Sequence, residues 1–174
     1  MRKKIKVELS PEGVKKAIKE LRDYKKWLIE RTYEFVKELG NEGVQIMSVK
    51  FAHAIYDGTN DVKCKVREEG KDKVAVMAVG SATLFIEFGT GVRYPDNHPD
   101  AHENGMIRGQ YGHGLGKLPQ WRYRGEAGTN GVPIVGGRHE GEILTRGNPA
   151  NMCMYKTVQE LQDKFEEIAR RVFI

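Results

Sequence analysis

The chain has 174 residues, enough for one domain with its own core and short for two. Its two cysteines, Cys64 and Cys153, exclude a disulfide scaffold or a cysteine-built zinc module, and no apolar run approaches the roughly 18 residues of a bilayer-crossing helix. The net charge of +5 sits at one end: residues 1–26 carry ten Lys and Arg against four Asp and Glu. No apolar stretch follows that basic start, so the sequence reads as a protein made and kept in a reducing compartment, without a secretion signal.

Ile5, Val7 and Leu9 alternate with Lys6 and Glu8, which predicts a short strand. Ser10 then precedes Pro11 and Glu12, a capping residue followed by two residues suited to a first helical turn. Val14, Ala17, Ile18, Leu21, Tyr24 and Leu28 recur at three- and four-residue steps and predict a buried face. The spacing resumes through Phe35, Val36, Leu39, Val44, Met47 and Phe51. It predicts one long helix over 11–52, or two in series with a kink at Gly40 and Gly43. The basic residues of this segment read as a solvated face, or as a contact for nucleic acid or another acidic surface.

Residues 56–61 (YDGTND) are turn-forming. Val62, Cys64 and Val66 alternate with Lys63, Lys65 and Arg67, and Val74, Val76 and Ala78 alternate again after a turn at 69–72. Together they predict an antiparallel hairpin with a basic outer face. The short apolar run at 84–88 fits a strand or a helix; Leu84, Phe85 and Phe88 favour a single helical turn capped by Ser81 and stopped by Gly89.

Residues 91–147 hold 13 of the 20 glycines and little periodicity, which predicts a functional surface loop or a segment ordered by a partner. Within it, 120–124 (QWRYR) and 141–146 (GEILTR) are predicted as two short strands around the Gly-rich stretch 125–137. Asn148, Pro149 and Asn151 suit a helix start. Met154, Val158, Leu161, Phe165, Ile168, Ala169 and Val172 predict an amphipathic helix ending at Phe173, with Leu161 and Phe165 on its buried face.

No constellation for catalysis emerges. The stretch 109–118 (GQYGHGLGKL) has Tyr111 where a phosphate-binding loop needs Gly, and Leu118 where it needs Ser or Thr. His98 and His102 are four apart but separated by Pro99, and the Glu that follows the first His in helical zinc proteases is missing; His113 and His139 have no local partner. Cys64 and Cys153 read as small core residues. Trp121, Arg122, Tyr123 and Arg124 are the residue types that dominate interface hot spots and base-stacking platforms. The expectation is a single α+β domain over 1–174 with an insertion at about 91–147, no catalytic, cofactor or metal residues, and a role in binding or assembly.

At residues 85–91 (FIEFGTG) the sequence resembles the bacteriophage minor tail component family, the tail-completion or neck proteins of long-tailed phages and prophages. The family pattern is a long first helix, a hairpin, an apolar–Glu–aromatic–Gly–Thr signature and a last helix. Residues 56–61 (YDGTND) and 147–152 (GNPANM) are similar to recurring words of its Gram-positive prophage branch. The stretch 91–147 is longer here than in compact members.

The resemblance implies a structural virion protein of the tail or neck, made in the host cytoplasm and assembled into a homo-oligomeric ring of six. Its implied partners are the tail tube or tail terminator and the head-closure connector, with passing contact to DNA in the channel. Catalysis, a membrane and a small-molecule substrate are not implied. Glu87, Phe88, Gly89 and Thr90 form the signature turn: Glu87 is expected to cap backbone amides and Gly89 to take a positive φ, so that Asn would replace it more mildly than Val. The alternative is a nucleic-acid-binding module using the basic first helix and QWRYR.

Overall fold

A computed structural model of the chain describes residues 6–112 and 116–174; Ile5 and His113, among the residues singled out above, lie outside them. The architecture is α+β. Helix α1 (Pro11–Ala52) is followed by a hairpin, β1 (Lys63–Glu68) and β2 (Val74–Val79), and by the short helix α2 (Thr83–Phe88). Three brief strands follow, β3 (Trp121–Tyr123), β4 (Val132–Pro133) and β5 (Ile143–Thr145), and then helix α3 (Cys153–Phe173).

Helix α1 begins where the sequence predicts. Ser10 is extended (φ −130°, ψ 155°) and its Oγ accepts from Gly13 N at 3.0 Å, with Pro11 in the first turn. The helix runs 42 residues without interruption, about 63 Å at 1.5 Å per residue. Gly40 and Gly43 are contact points rather than kinks. A Cβ on Gly40 would stand 3.0 Å from Val74 Cγ2, and one on Gly43 3.0 Å from Leu161 Cδ1 and 3.1 Å from Val76 Cγ2. Lacking side chains there, α1 lets both the hairpin and α3 approach its backbone.

Antiparallel to α1 lies α3. Lys50 pairs with Glu160 (2.7 Å), Glu42 with Lys164 (2.6 Å) and Glu38 with Arg171 (3.4 Å), and Trp27 meets Phe173 edge-on at 6.3 Å. The core joins Met47 and Phe51 of α1, Ala82 and Ile86 around α2, and Cys153 of α3, with Val76 and Ala78 packed against it.

Four expectations are corrected. Residues 6–9 form no strand, and Leu9 is fully exposed; the alternation has no neighbouring strand to pair with among the described residues. The predicted buried face of the first half of α1 is instead largely open: Ala17 is buried and Tyr24 half-buried, but Val14, Ile18, Leu21 and Leu28 are exposed, because α3 ends beside Trp27 and no described helix or strand continues past it. Phe165 is half-exposed, its ring edge-on to Phe35 at 5.1 Å, while Ile168 is the deeply buried apolar residue in the second half of α3. Ile168→Ala should therefore cost about 2–5 kcal/mol in chemical denaturation and Phe165→Ala distinctly less; the reverse order would mean the face is misassigned. Finally, α3 starts at Cys153 rather than near Asn148, after Met152 at φ 57°, ψ 42°.

The hairpin forms as predicted, with Val66 opposite Val76 and Lys63, Lys65 and Arg67 outward. The glycine-rich stretch is also organised. β3 pairs antiparallel with β5 (Arg122 opposite Leu144), as the two predicted strands required, and β4 adds to the other edge of β5.

Candidate functional site

The three sequence words that stand out, 56–61, 86–90 and 147–152, converge in one hydrogen-bonded knot. Thr90 and Asn148 exchange backbone bonds (2.9 and 3.1 Å), and Thr90 Oγ1 also accepts from Asn148 N and Nδ2, both at 3.0 Å. Asn148 Oδ1 accepts from Asp57 N at 2.7 Å. Asn151 ties the same region together: its N donates to Ile86 O, its Oδ1 accepts from Ile55 N (2.8 Å), and its Nδ2 donates to Ile55 O (3.0 Å). The Asn residues read as helix caps are therefore occupied in this knot, which is why α3 begins later than their positions suggest.

Glu87, 1% exposed, is the cap of α3. Its Oε2 accepts from Met154 N (2.7 Å) and its Oε1 from Tyr155 N (3.0 Å), placing a carboxylate on the free amides and positive end of the helix. His98, also buried, completes the arrangement. Its Nδ1 accepts from Asp100 N (3.1 Å), so the ring proton sits on Nε2, which donates to Glu87 Oε1 at 3.1 Å. His98 is thus committed to Glu87, while His102 is exposed. Phe88 packs on the His98 ring at a centroid distance of 4.3 Å. Gly89 ends α2 at φ 79°, ψ 177°.

Arg108 closes the knot from the insertion. Its Nη1 donates to the carbonyls of Thr90, Gly91 and Asn148 at 3.1–3.3 Å. Its Nε and Nη2, with the Tyr111 hydroxyl, are buried without partners among the described residues. Burial pushes the Arg108 pKa down and that of Tyr111 up to about 12.

Beside the knot lies an open cleft of about 530 Å³ walled by Tyr56, Phe85, Tyr111, Trp121 and Tyr123, with Arg124 at its side. Trp121 covers Gly91, where a Cβ would stand 3.0 Å from the indole, so the aromatic strand is fixed against the signature turn. The floor is held by Asp57, which accepts from Thr145 Oγ1 (2.6 Å) and Asn130 N (2.8 Å). The QWRYR segment therefore divides. Trp121, Tyr123 and Arg124 line the cleft, whereas Arg122 points away and pairs with Glu142 at 3.3 Å, next to His139. The cleft presents aromatic faces, with Lys117, Arg124 and Glu126 among its charged lining residues.

Asp61, in the first of the three words, anchors the start of α2 in place of the expected Ser81 cap. Its carboxylate accepts from Ala82 N (2.9 Å), Ser81 N (2.8 Å) and Ser81 Oγ (2.9 Å), and these bonds hold its pKa down at about 2. A depressed carboxylate stabilises the fold above its unfolded pKa of about 4 and loses that contribution as pH falls towards 2. In a proton NMR titration Asp61 should titrate near 2, and Asp61→Asn should flatten the stability loss between pH 4 and 2. An ordinary native pKa for Asp61 would contradict the bonding described.

Both cysteines are free. Burial pushes the Cys153 thiol up to about 12 and raises Cys64, so neither is a thiolate at neutral pH.

Asp57, His98, Arg108, Asn148 and Asn151 were not singled out as site residues from sequence. Asp57, Asn148 and Asn151 lie inside the noted words, which is the available signal; His98 is marked by its spacing to His102, which points to a metal rather than to Glu87, and Arg108 sits in the insertion with no local pattern. No helix among the described residues is long and apolar enough to cross a membrane. Compared with known proteins, the chain matches no family model, no curated protein and no solved structure.

Proposed function

We propose that the chain is a structural subunit of a bacteriophage head–tail joint, a tail-completion or neck protein that forms a ring of six and connects the tail tube to the head-side connector. The observation that carries the reading is the knot. The three words on which the resemblance rests lie far apart in sequence, yet Asp57 and Thr90 both bond directly to Asn148. The words thus act as one structural unit that sets the position of α2, α3 and the insertion.

The parts suit ring assembly. The two-stranded hairpin leaves its outer edges unpaired by any other strand among the described residues, and such an edge can add to a neighbour's sheet. Repeated heterologous contacts around a closed rotation give a ring. The aromatic cleft, with Trp121, Tyr123 and Arg124, supplies a second contact for a neighbour or for the tail.

Light scattering on the purified protein, paired with a duplex-DNA titration, tests this. The expected result is a particle of about six times the 19.7 kDa chain mass and weak DNA binding. A monomer that binds duplex DNA with an affinity falling steeply with salt would instead support the nucleic-acid-binding alternative.

A further inference from the structure

The face of α1 that meets α3 does not stop where α3 stops. In the second half of the helix this face carries Phe35, edge-on to Phe165, Glu42, paired with Lys164, and Gly43, against Leu161. Counting back at 100° per residue, the same face carries Val14, Leu21 and Leu28, with Ile18 and Ile29 along its edge. All five are exposed, by 41–55%. Along the second half the seam is filled by α3, whose last turn reaches Trp27 through Phe173. From there to Ser10, about 24 Å or 16 residues at 1.5 Å each, no helix or strand among the described residues covers the exposed stripe, and Ala17 is the buried residue of this stretch.

Charge says what fits there. Lys15, Arg22 and Lys26 line one flank of the stripe, Lys19 stands beyond them, and Lys25 interrupts the stripe between Leu21 and Leu28. Of these, Lys26 has an acidic neighbour, Glu30 at 3.9 Å; Lys15, Lys19, Arg22 and Lys25 make no ion pair among the described residues. A second copy of the arm would bring this same basic flank against itself, and like charges facing across a helix pair repel. A lipid surface accounts poorly for a stripe broken by Lys25 and for the Glu12, Glu20 and Asp23 on the remaining surface.

We infer that the amino-terminal arm of α1 is a docking face for an acidic amphipathic helix of a partner protein, laid along α1 as a continuation of α3. Its apolar residues would cover Val14, Ile18, Leu21 and Leu28, and its carboxylates would meet Lys15, Arg22 and Lys25. The inference is independent of the ring reading.

A labelled synthetic helix of three heptads, Leu at a and d and Glu at e and g, titrated into the full chain by fluorescence anisotropy, is the test. A control helix carries Lys in place of Glu. The Glu helix should bind at least about tenfold tighter than the Lys helix. Leu21→Asp should weaken it by about tenfold or more. Its melting temperature should remain that of the parent, because Leu21 is 55% exposed. Arg22→Glu with Lys25→Glu should reverse the preference between the two helices. Equal binding of the helices, no binding of either, or indifference to Leu21→Asp overturns the inference. So does finding that Leu21→Asp abolishes self-association, or binding to phosphatidylglycerol vesicles or duplex DNA, while the Glu helix does not bind.

Discussion

Replacing Glu87 by alanine should lower the stability of the chain by about 3–5 kcal/mol, a drop of about 10 °C in the thermal midpoint for a chain of this size. The effect is large because three buried donors depend on one carboxylate: Met154 N, Tyr155 N and His98 Nε2. Each donor left buried without a partner costs about 1–3 kcal/mol, and the start of α3 also loses the negative group that opposes its dipole. Glu87→Gln keeps one accepting oxygen but turns an NH2 group towards an N–H, so it should fall between the parent and alanine. Thermal and urea melts followed by circular dichroism decide the matter. A loss below about 1 kcal/mol for alanine would show that Glu87 is not the cap.

Gly89→Ala should be comparably damaging, and Gly89→Asn no milder. Asn tolerates left-handed backbone, which is why the sequence points to it as the milder replacement, but that tolerance belongs to ψ near +45°, and Gly89 sits at φ 79°, ψ 177°, a region open to glycine almost alone. A Cβ would also stand 2.3 Å from Arg108 Nη2 and 2.7 Å from both Ala150 N and Asn148 O. Two of those atoms are backbone of the knot and cannot swing aside. Strain of about 1–3 kcal/mol adds to overpacking of similar size, so a loss of about 3–5 kcal/mol is expected for either substitution. Denaturant melts of both variants check this; a stable Asn variant would mean that the turn relaxes into the ordinary left-handed region and that the knot is looser than described.

The parts of the fold governed by local periodicity were legible in the sequence. The α1 start at Ser10, the hairpin, α2 and the β3–β5 pairing all follow from residue spacing and turn chemistry. What escaped has a common physical origin, because it depends on groups far apart in the chain. Glu87 caps a helix 66 residues further on, at Cys153, and Asp61 holds the start of α2 across the hairpin. Capping rules read from adjacent residues assigned those jobs to Asn148, Asn151 and Ser81, which the structure uses otherwise.

The exposed stripe of α1 shows a different limit. A 3.6-residue apolar period announces that a face wants cover, but the core supplies that cover only as far as Trp27. Gly40 and Gly43 show the converse case. Read locally they weaken a helix; in the fold they are where the hairpin and α3 touch it. Of the signature residues, Glu87, Gly89 and Thr90 proved to be parts of the knot, so their position in the sequence pointed to a real centre, while the division of QWRYR between cleft and outer face followed only from the register with β5.

Electron microscopy of the purified full-length protein in negative stain tests the proposed role most directly. Closed rings whose averaged end-on views have sixfold symmetry are expected, and loss of those rings, with the subunit still folded, when the hairpin edge or the Trp121–Arg124 segment is altered. Single subunits at every concentration, with no rings in any field and an unchanged picture for those variants, would contradict it.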